Sequence, residues 1–195
     1  MFLNNRREKL VILLNILFGF LLCFLTASLS LADAQNKNYY KDPNVILDEV
    51  SKRGAHTIVL ELYSKPTEWN FVLRQIAAGT KTWLNVAVKL HAGSDAGASE
   101  MLTLSVGEAL ERSPSNVFKI ALTEFQLEAI CSGPDVDDAR YNSYALAIKA
   151  INQRQKRISA IANPKLKNVS TKCIQLLEEA KSGIAKFYDA SKGNN

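Results

Sequence analysis

Three side chains near the middle of the sequence are the best candidates for chemistry: His91, Asp95 and Glu100. An imidazole close to two carboxylates could bind a metal ion or act as an acid–base pair, which would suit a small hydrolase or a metal-dependent enzyme. Their spacing does not match H-E-x-x-H, the pattern of zinc proteases. A structural role is simpler, because Asp95 can cap a helix and Glu100 would lie early in that helix, where carboxylates are favourable.

Motifs of known enzyme classes are missing from the sequence. It contains no G-x-S-x-G nucleophile motif, no P-loop, no Rossmann glycine pattern and no C-x-x-C pair. The acidic turn of Asp135, Asp137 and Asp138 lacks the central glycine and the distal glutamate of an EF-hand, so helix capping is its expected role. We therefore predict no cofactor and no metal, and a protein without catalytic activity is favoured.

The cysteines indicate a structural bridge. Cys131 and Cys173 both lie beyond the N-terminal apolar segment, and in an oxidising compartment two such cysteines are most simply a disulfide. A catalytic thiol would need a histidine partner, and no motif links either cysteine to His56 or His91. The sequence predicts a Cys131–Cys173 disulfide.

The N-terminal segment has the pattern of an export signal. Residues 1–34 begin with basic side chains, continue with the apolar run LVILLNILFGFLLCFL and end with small residues at Ala32 and Ala34. This predicts a signal peptide cleaved after Ala34 and a periplasmic protein. The alternative is an uncleaved inner-membrane anchor facing the periplasm, because the apolar segment approaches the ~20 residues that span a bilayer.

Helical periodicity accounts for most of the remaining chain. We predict a flexible leader at 35–41, a helical domain at 42–190 and a disordered tail at 191–195. Trp69 and Trp83 each begin an apolar stripe, and each stripe is followed by a glycine, Gly79 or Gly93. This repeated pattern predicts two helices of a hairpin with both tryptophans in the core, rather than a surface that stacks on a ligand.

Two longer helices are predicted at the C-terminal end. The first would begin at Asp137 or Asp138 and end near Ala162, and the second would begin at Pro164. The predicted fold class is therefore all-α: a single-domain multi-helix bundle with short helical hairpins, followed by a long antiparallel C-terminal helix pair.

The charge is mildly basic, with 24 Lys and Arg against 19 Asp and Glu and a formal net charge of +5. So mixed a distribution argues against nucleic acid as a partner. Arg154, Lys156 and Arg157 form a basic run on the first predicted long helix. Such a run is either a solvated helix face or a docking patch for an acidic partner.

Several short segments between Trp69 and Pro134 resemble small exported helical proteins of proteobacteria: W-L-N-V-A-V-K-L, D-A-G-A-S-E, G-E-A-L and I-C-S-G-P. That resemblance implies no established activity. In type rather than motif, the chain is also similar to periplasmic immunity proteins that block cell-wall amidases, although no functional residue aligns with them.

We therefore predict an exported, non-catalytic protein-binding domain whose partner is another envelope protein, of an inhibitor, immunity or accessory kind. One alternative is a small envelope hydrolase or metal-dependent enzyme centred on His91, Asp95 and Glu100. The other is a structural scaffold of an envelope complex. The sequence predicts no particular oligomeric state.

Overall fold

The computed structural model of the chain describes residues 39–192, and it describes side chains from Tyr40 to Asp189. Within this part of the chain all regular structure is helical, which confirms the predicted all-α class. The chain from Lys41 onward forms one compact unit. Its α-helices are α1 (Pro43–Arg53), α2 (Ala55–Tyr63), α3 (Pro66–Ala77), α4 (Lys81–His91), α5 (Ala96–Ala109), α6 (Pro114–Ile120), α7 (Leu127–Ile130), α8 (Tyr144–Ser159) and α9 (Lys167–Lys192).

Two segments that the sequence singled out lie outside the described residues. They are the predicted signal peptide or anchor at 1–34, together with residues 35–38 of the predicted leader, and the end of the predicted tail, from residue 193 onward. The rest of the predicted leader, Tyr39–Lys41, is a 3-10 turn, and the first two residues of the predicted tail belong to α9. Of the helices that are described, none combines the length and the apolar character needed to cross a bilayer.

The first helices begin and end at the residues that their sequence predicts. The Asp42 carboxylate accepts a hydrogen bond from the Asn44 N–H at 2.9 Å, so Asp42 caps α1 ahead of Pro43. Gly54 has a positive φ of 84° and separates α1 from α2. The β-branched segment that follows it, AHTIVLELY, is helical.

The hairpin of α3 and α4 carries the two tryptophans, and both are buried as predicted. The Trp69 Nε1–H donates to the Met101 sulfur at 3.3 Å, and the Trp83 ring packs edge-on against Phe71. Gly79 has a positive φ of 75° after α3, which is the left-handed conformation expected of a residue that ends a helix.

Gly93 plays a different role from Gly79. Its φ is not positive, and a Cβ atom placed on it would lie 2.3 Å from the backbone nitrogen of His56. Glycine is therefore needed here because the turn after α4 presses against the backbone at the start of α2. The two glycines share a position in the sequence pattern, but they satisfy different constraints.

The long helix pair is confirmed, with a corrected start. Helix α8 begins at Tyr144 and ends at Ser159, so the predicted range from Asp137 or Asp138 to Ala162 was too long. Helix α9 runs antiparallel to it: Tyr144 lies beside Tyr188, and Gln155 donates a hydrogen bond to the carbonyl oxygen of Ile174. Pro164–Leu166 is a 3-10 turn that leads into α9.

A disulfide joins Cys131, directly after α7, to Cys173 on α9, and both cysteines are fully buried. Their Cα atoms are 5.4 Å apart, within the usual range for a disulfide. The bridge fastens the short-helix part of the molecule to the long helix pair.

Candidate functional site

The turn between α4 and α5 holds His91, the last residue of α4. The Ser94 hydroxyl donates to the His91 carbonyl oxygen at 2.9 Å, and His56 Nδ1 lies 3.0 Å from the carbonyl oxygen of Gly93. Together with the close approach at Gly93, these contacts fix the turn against the start of α2. These contacts therefore fix the position of the backbone that carries His91.

The imidazole of His91 lies between a hydroxyl and a carboxylate. Its Nε2 is 2.9 Å from the Ser99 hydroxyl oxygen, and its Nδ1 is 3.3 Å from Oε1 of Glu124. The ring also packs against Phe125, with 4.2 Å between the ring centroids. Both nitrogens thus have a polar neighbour, and an aromatic face supports the ring.

These neighbours are not the ones that the sequence suggested. Within the described residues, neither the Asp95 carboxylate nor the Glu100 carboxylate forms a hydrogen bond or an ion pair, and both residues are exposed. Asp95 does occupy the N-cap position of α5, but its side chain makes no capping bond. The predicted cluster of His91, Asp95 and Glu100 is therefore not assembled around the imidazole.

A metal site is also not formed by that cluster. In the described part of the chain, no group of three or more His, Cys, Asp or Glu side chains could hold a metal ion. The partners that do meet His91, namely Ser99 and Glu124, had no signal in the sequence. Ser99 is an ordinary helical serine there, and Glu124 lies 33 residues from His91 in the chain.

The predicted basic run is divided between the core and the surface. Arg154 is fully buried, and its Nε–H donates to Oε1 of Glu111 at 3.2 Å. Its two terminal nitrogens are buried and have no hydrogen-bond partner among the described residues. Only Lys156 and Arg157 are exposed, so the three residues do not form one patch.

A different surface on α8 contains Lys156. A shallow depression of about 430 Å³ follows the exposed side of this helix, and we refer to it as the α8 face. It is lined by Tyr144, Ala145, Ile148, Lys149, Asn152, Gln153 and Lys156. This lining holds two lysines and no carboxylate.

A second depression, of about 350 Å³, lies between α3, α5 and the segment that precedes α8. Arg140 crosses it, donating to both carboxylate oxygens of Glu108 and to Asp138. The hydrogen bond from Arg140 holds the pKa of the Asp138 carboxyl below its usual range. The lining as a whole holds two arginines, Arg74 and Arg140, against three carboxylates, those of Glu108, Asp135 and Asp138. Its charge is therefore mixed, and Arg140 is already paired within it.

The comparisons with known proteins add no function. No protein-family model, no curated protein and no solved structure matches this chain.

Proposed function

We propose that this chain is an exported binding protein that engages an acidic segment of another envelope protein through the α8 face. The supporting observation is the composition of that face, in which exposed apolar area adjoins two lysines and no carboxylate. Complementary charge across an interface favours encounter with the right partner and disfavours wrong ones.

The helix geometry places these groups on one side of α8. Lys149 and Lys156 are seven residues apart, so they lie two helical turns and roughly 10 Å from each other on the same face. Tyr144 is 45% exposed at one end of that face, and Ile148 is half-buried along it. An aromatic anchor with two flanking cations suits an amphipathic segment that carries acidic side chains.

Neither lysine is already neutralised by a neighbour. Within the described residues, Lys149 and Lys156 form no ion pair, whereas Lys52, Lys65, Lys172 and Lys181 do. The cost of separating an existing ion pair is therefore absent on the α8 face. Export is supported by the sequence of residues 1–34 and by the disulfide, which is typical of oxidising compartments.

The test is photo-crosslinking in the envelope of a bacterium that exports the full chain. A photoreactive amino acid replaces Asn152 on the α8 face, and Asn168, an exposed residue on α9, serves as the control position. We expect one crosslinked protein from position 152 that is not obtained from position 168, and mass spectrometry then identifies the contacted segment.

Charge reversal then tests the proposed chemistry. The double variant Lys149→Glu/Lys156→Glu should abolish that crosslink. Lys165→Glu/Lys167→Glu makes the same change in net charge at exposed positions away from the face and should retain it. A crosslink that survives the first variant, or that maps to a basic segment, would rule out the proposal.

A further inference from the structure

Ser99, His91 and Glu124 come from three separate elements and meet in a single hydrogen-bonded line. His91 ends α4, Ser99 lies in the first turns of α5, and Glu124 follows the 3-10 turn after α6. The distances are 2.9 Å from the Ser99 oxygen to Nε2 and 3.3 Å from Nδ1 to Glu124 Oε1. Hydroxyl, imidazole and carboxylate in this order form the relay that activates a serine nucleophile.

The Glu124 carboxylate determines which ring nitrogen of His91 carries the hydrogen. An ionised glutamate only accepts hydrogen bonds, so Nδ1 of His91 must be the ring nitrogen that carries the hydrogen. In a neutral imidazole, Nε2 then has a free lone pair, and the Ser99 hydroxyl donates to it. This is the orientation in which the imidazole can remove the hydroxyl proton.

The relay is open to small molecules. The His91 side chain is 21% exposed and that of Glu124 is 34% exposed, while Ser99 is half-buried. The Phe125 ring supports one face of the imidazole, which limits rotation of the ring away from Ser99. A substrate can thus approach Ser99 from solvent while the relay keeps its geometry.

Backbone N–H groups near Ser99 can stabilise negative charge. The first N–H groups of a helix have no partner within it, and the Asp95 side chain caps none of them in α5. The Ser99 N–H already donates to the Asp95 carbonyl oxygen, so the donors still available belong to Ala96, Gly97 and Ala98. The residues Ala96 and Gly97 are exposed, and a helix N-terminus favours an anion.

We propose that Ser99 is a catalytic nucleophile for small carboxylic esters, with His91 as its general base and Glu124 as a positioning residue. The Ser99 oxygen attacks the ester carbonyl carbon as its proton passes to Nε2 of His91. The C–O bond to the alcohol breaks, and His91 returns the proton to the departing alcohol, which leaves an acyl-Ser99. Water then attacks the acyl group with His91 as base, releasing a carboxylic acid and restoring Ser99.

The test uses the full exported chain and a small alkyl fluorophosphonate, which is attacked by an activated serine with loss of fluoride and of the serine proton. We expect one adduct, mapped by mass spectrometry to Ser99, together with hydrolysis of a short-chain nitrophenyl ester. Ser99→Ala should abolish both, and His91→Gln should slow both by roughly 100-fold or more. Glu124→Gln should slow them less, and Glu124→Asp should recover part of the loss.

Controls separate catalysis from folding and from the proposed function. Ser51 on α1 is an exposed serine whose hydroxyl bonds only its own helix, so its labelling rate sets the unactivated background. Thermal unfolding of each variant shows whether the fold is retained. Lys165→Glu/Lys167→Glu changes exposed charges outside both sites and should leave labelling of Ser99 unchanged. Labelling needs no partner protein and crosslinking from position 152 needs no ester, so a failure of the α8-face proposal would not be mistaken for a failure of this one.

The proposal is overturned if Ser99 is labelled no faster than Ser51. It is equally overturned if His91→Gln folds normally and keeps the rate of the unmodified chain, because the imidazole would then have only a structural role. The same conclusion follows if the variants unfold at lower temperature than the parent chain while Ser99 of the parent chain is not labelled at all.

Discussion

At the scale of single residues, Arg154 shows how helical periodicity outweighs local charge. In the sequence it belongs to a basic run with Lys156, but the two are two residues apart and therefore about 200° apart around a helix. Arg154 instead shares its side of α8 with Ile151 and Ile158, both of which are buried. The spacing thus contained the information that one of the basic residues faces the core.

Removing the partner of this buried charge should cost more than removing the charge itself. Glu111→Ala leaves a guanidinium with 0% exposure and no counter-ion, and we expect a loss of about 3 kcal/mol in the free energy of unfolding. Arg154→Met leaves Glu111, which is 19% exposed and can be hydrated, so a change of less than about 1 kcal/mol is expected. Urea denaturation measures both, and the opposite order would contradict this account.

Replacing glycine with alanine should have opposite effects on stability at Gly93 and at Gly183. At Gly93 a Cβ atom would lie 2.3 Å from the His56 nitrogen and 2.6 Å from the carbonyl carbon of Ala55, so backbone would have to move. We expect Gly93→Ala to lower stability by about 2 kcal/mol or more.

Gly183 is the matched control for Gly93, since it lies inside α9 with no atom within 4 Å of its added Cβ. There we expect Gly183→Ala to raise stability by about 0.5 to 1 kcal/mol. Thermal unfolding of the two variants compares them directly. Equal effects at both positions would show that the close approach at Gly93 is not rigid.

At the scale of elements, prolines and glycines in the sequence located most helix boundaries correctly. The prediction failed at the start of α8, where an ion pair joins residues far apart in the chain. Pro43, Gly54, Pro66 and Gly79 predicted helix ends correctly. Before α8, however, the Asp138 carboxylate accepts a hydrogen bond from the Arg140 N–H and caps the 3-10 turn Ala139–Tyr141 instead of the long helix.

The reason for that late start lies outside the segment itself. Arg140 is drawn to Glu108, 32 residues away in the chain, and the helix begins only after Ser143 caps it. No local pattern contains such a contact. The same reasoning explains why His91 could be recognised as a candidate while Glu124 could not.

An N-cap side chain that accepts a backbone hydrogen bond should stabilise the protein more than one that accepts none. Both Asp42 and Asp95 precede a helix, but only the Asp42 carboxylate accepts a backbone hydrogen bond. We expect Asp42→Ala to cost about 1 kcal/mol. Asp95→Ala should cost only about 0.3 kcal/mol, from the helix dipole alone. Chemical denaturation of both variants measures the difference, and a larger loss at Asp95 would show that its carboxylate forms a bond in solution.

At the scale of the whole molecule, the sequence alone predicted the fold class and the disulfide. Helical periodicity together with paired prolines and glycines predicted an all-α chain, and two cysteines beyond the apolar segment predicted the disulfide. The sites did not follow in the same way, because the α8 face and the surroundings of His91 depend on how helices pack. Packing joins residues that are far apart in the chain, and a single sequence does not show which ones.

The disulfide should contribute strongly to stability, because it closes a loop between cysteines 42 residues apart. The chain-entropy model gives roughly 4 kcal/mol for such a loop. We therefore expect Cys131→Ala/Cys173→Ala to lower the free energy of unfolding by about that amount, measured by urea denaturation. The parent chain under reducing conditions should lose a similar amount, and a reduced protein as stable as the oxidised one would contradict the prediction.

The bridge from Cys131 to Cys173 also decides what happens when the backbone is cut. The connection between α8 and α9 lies wholly inside the loop that the disulfide closes. A protease that cleaved there would produce two polypeptides still joined by a covalent bond, with α8 on one and the whole of α9 on the other. Such a nicked molecule would migrate as a single species on a non-reducing gel and as two on a reducing gel. Its two long helices would stay tethered, so a single cut would not release either of them.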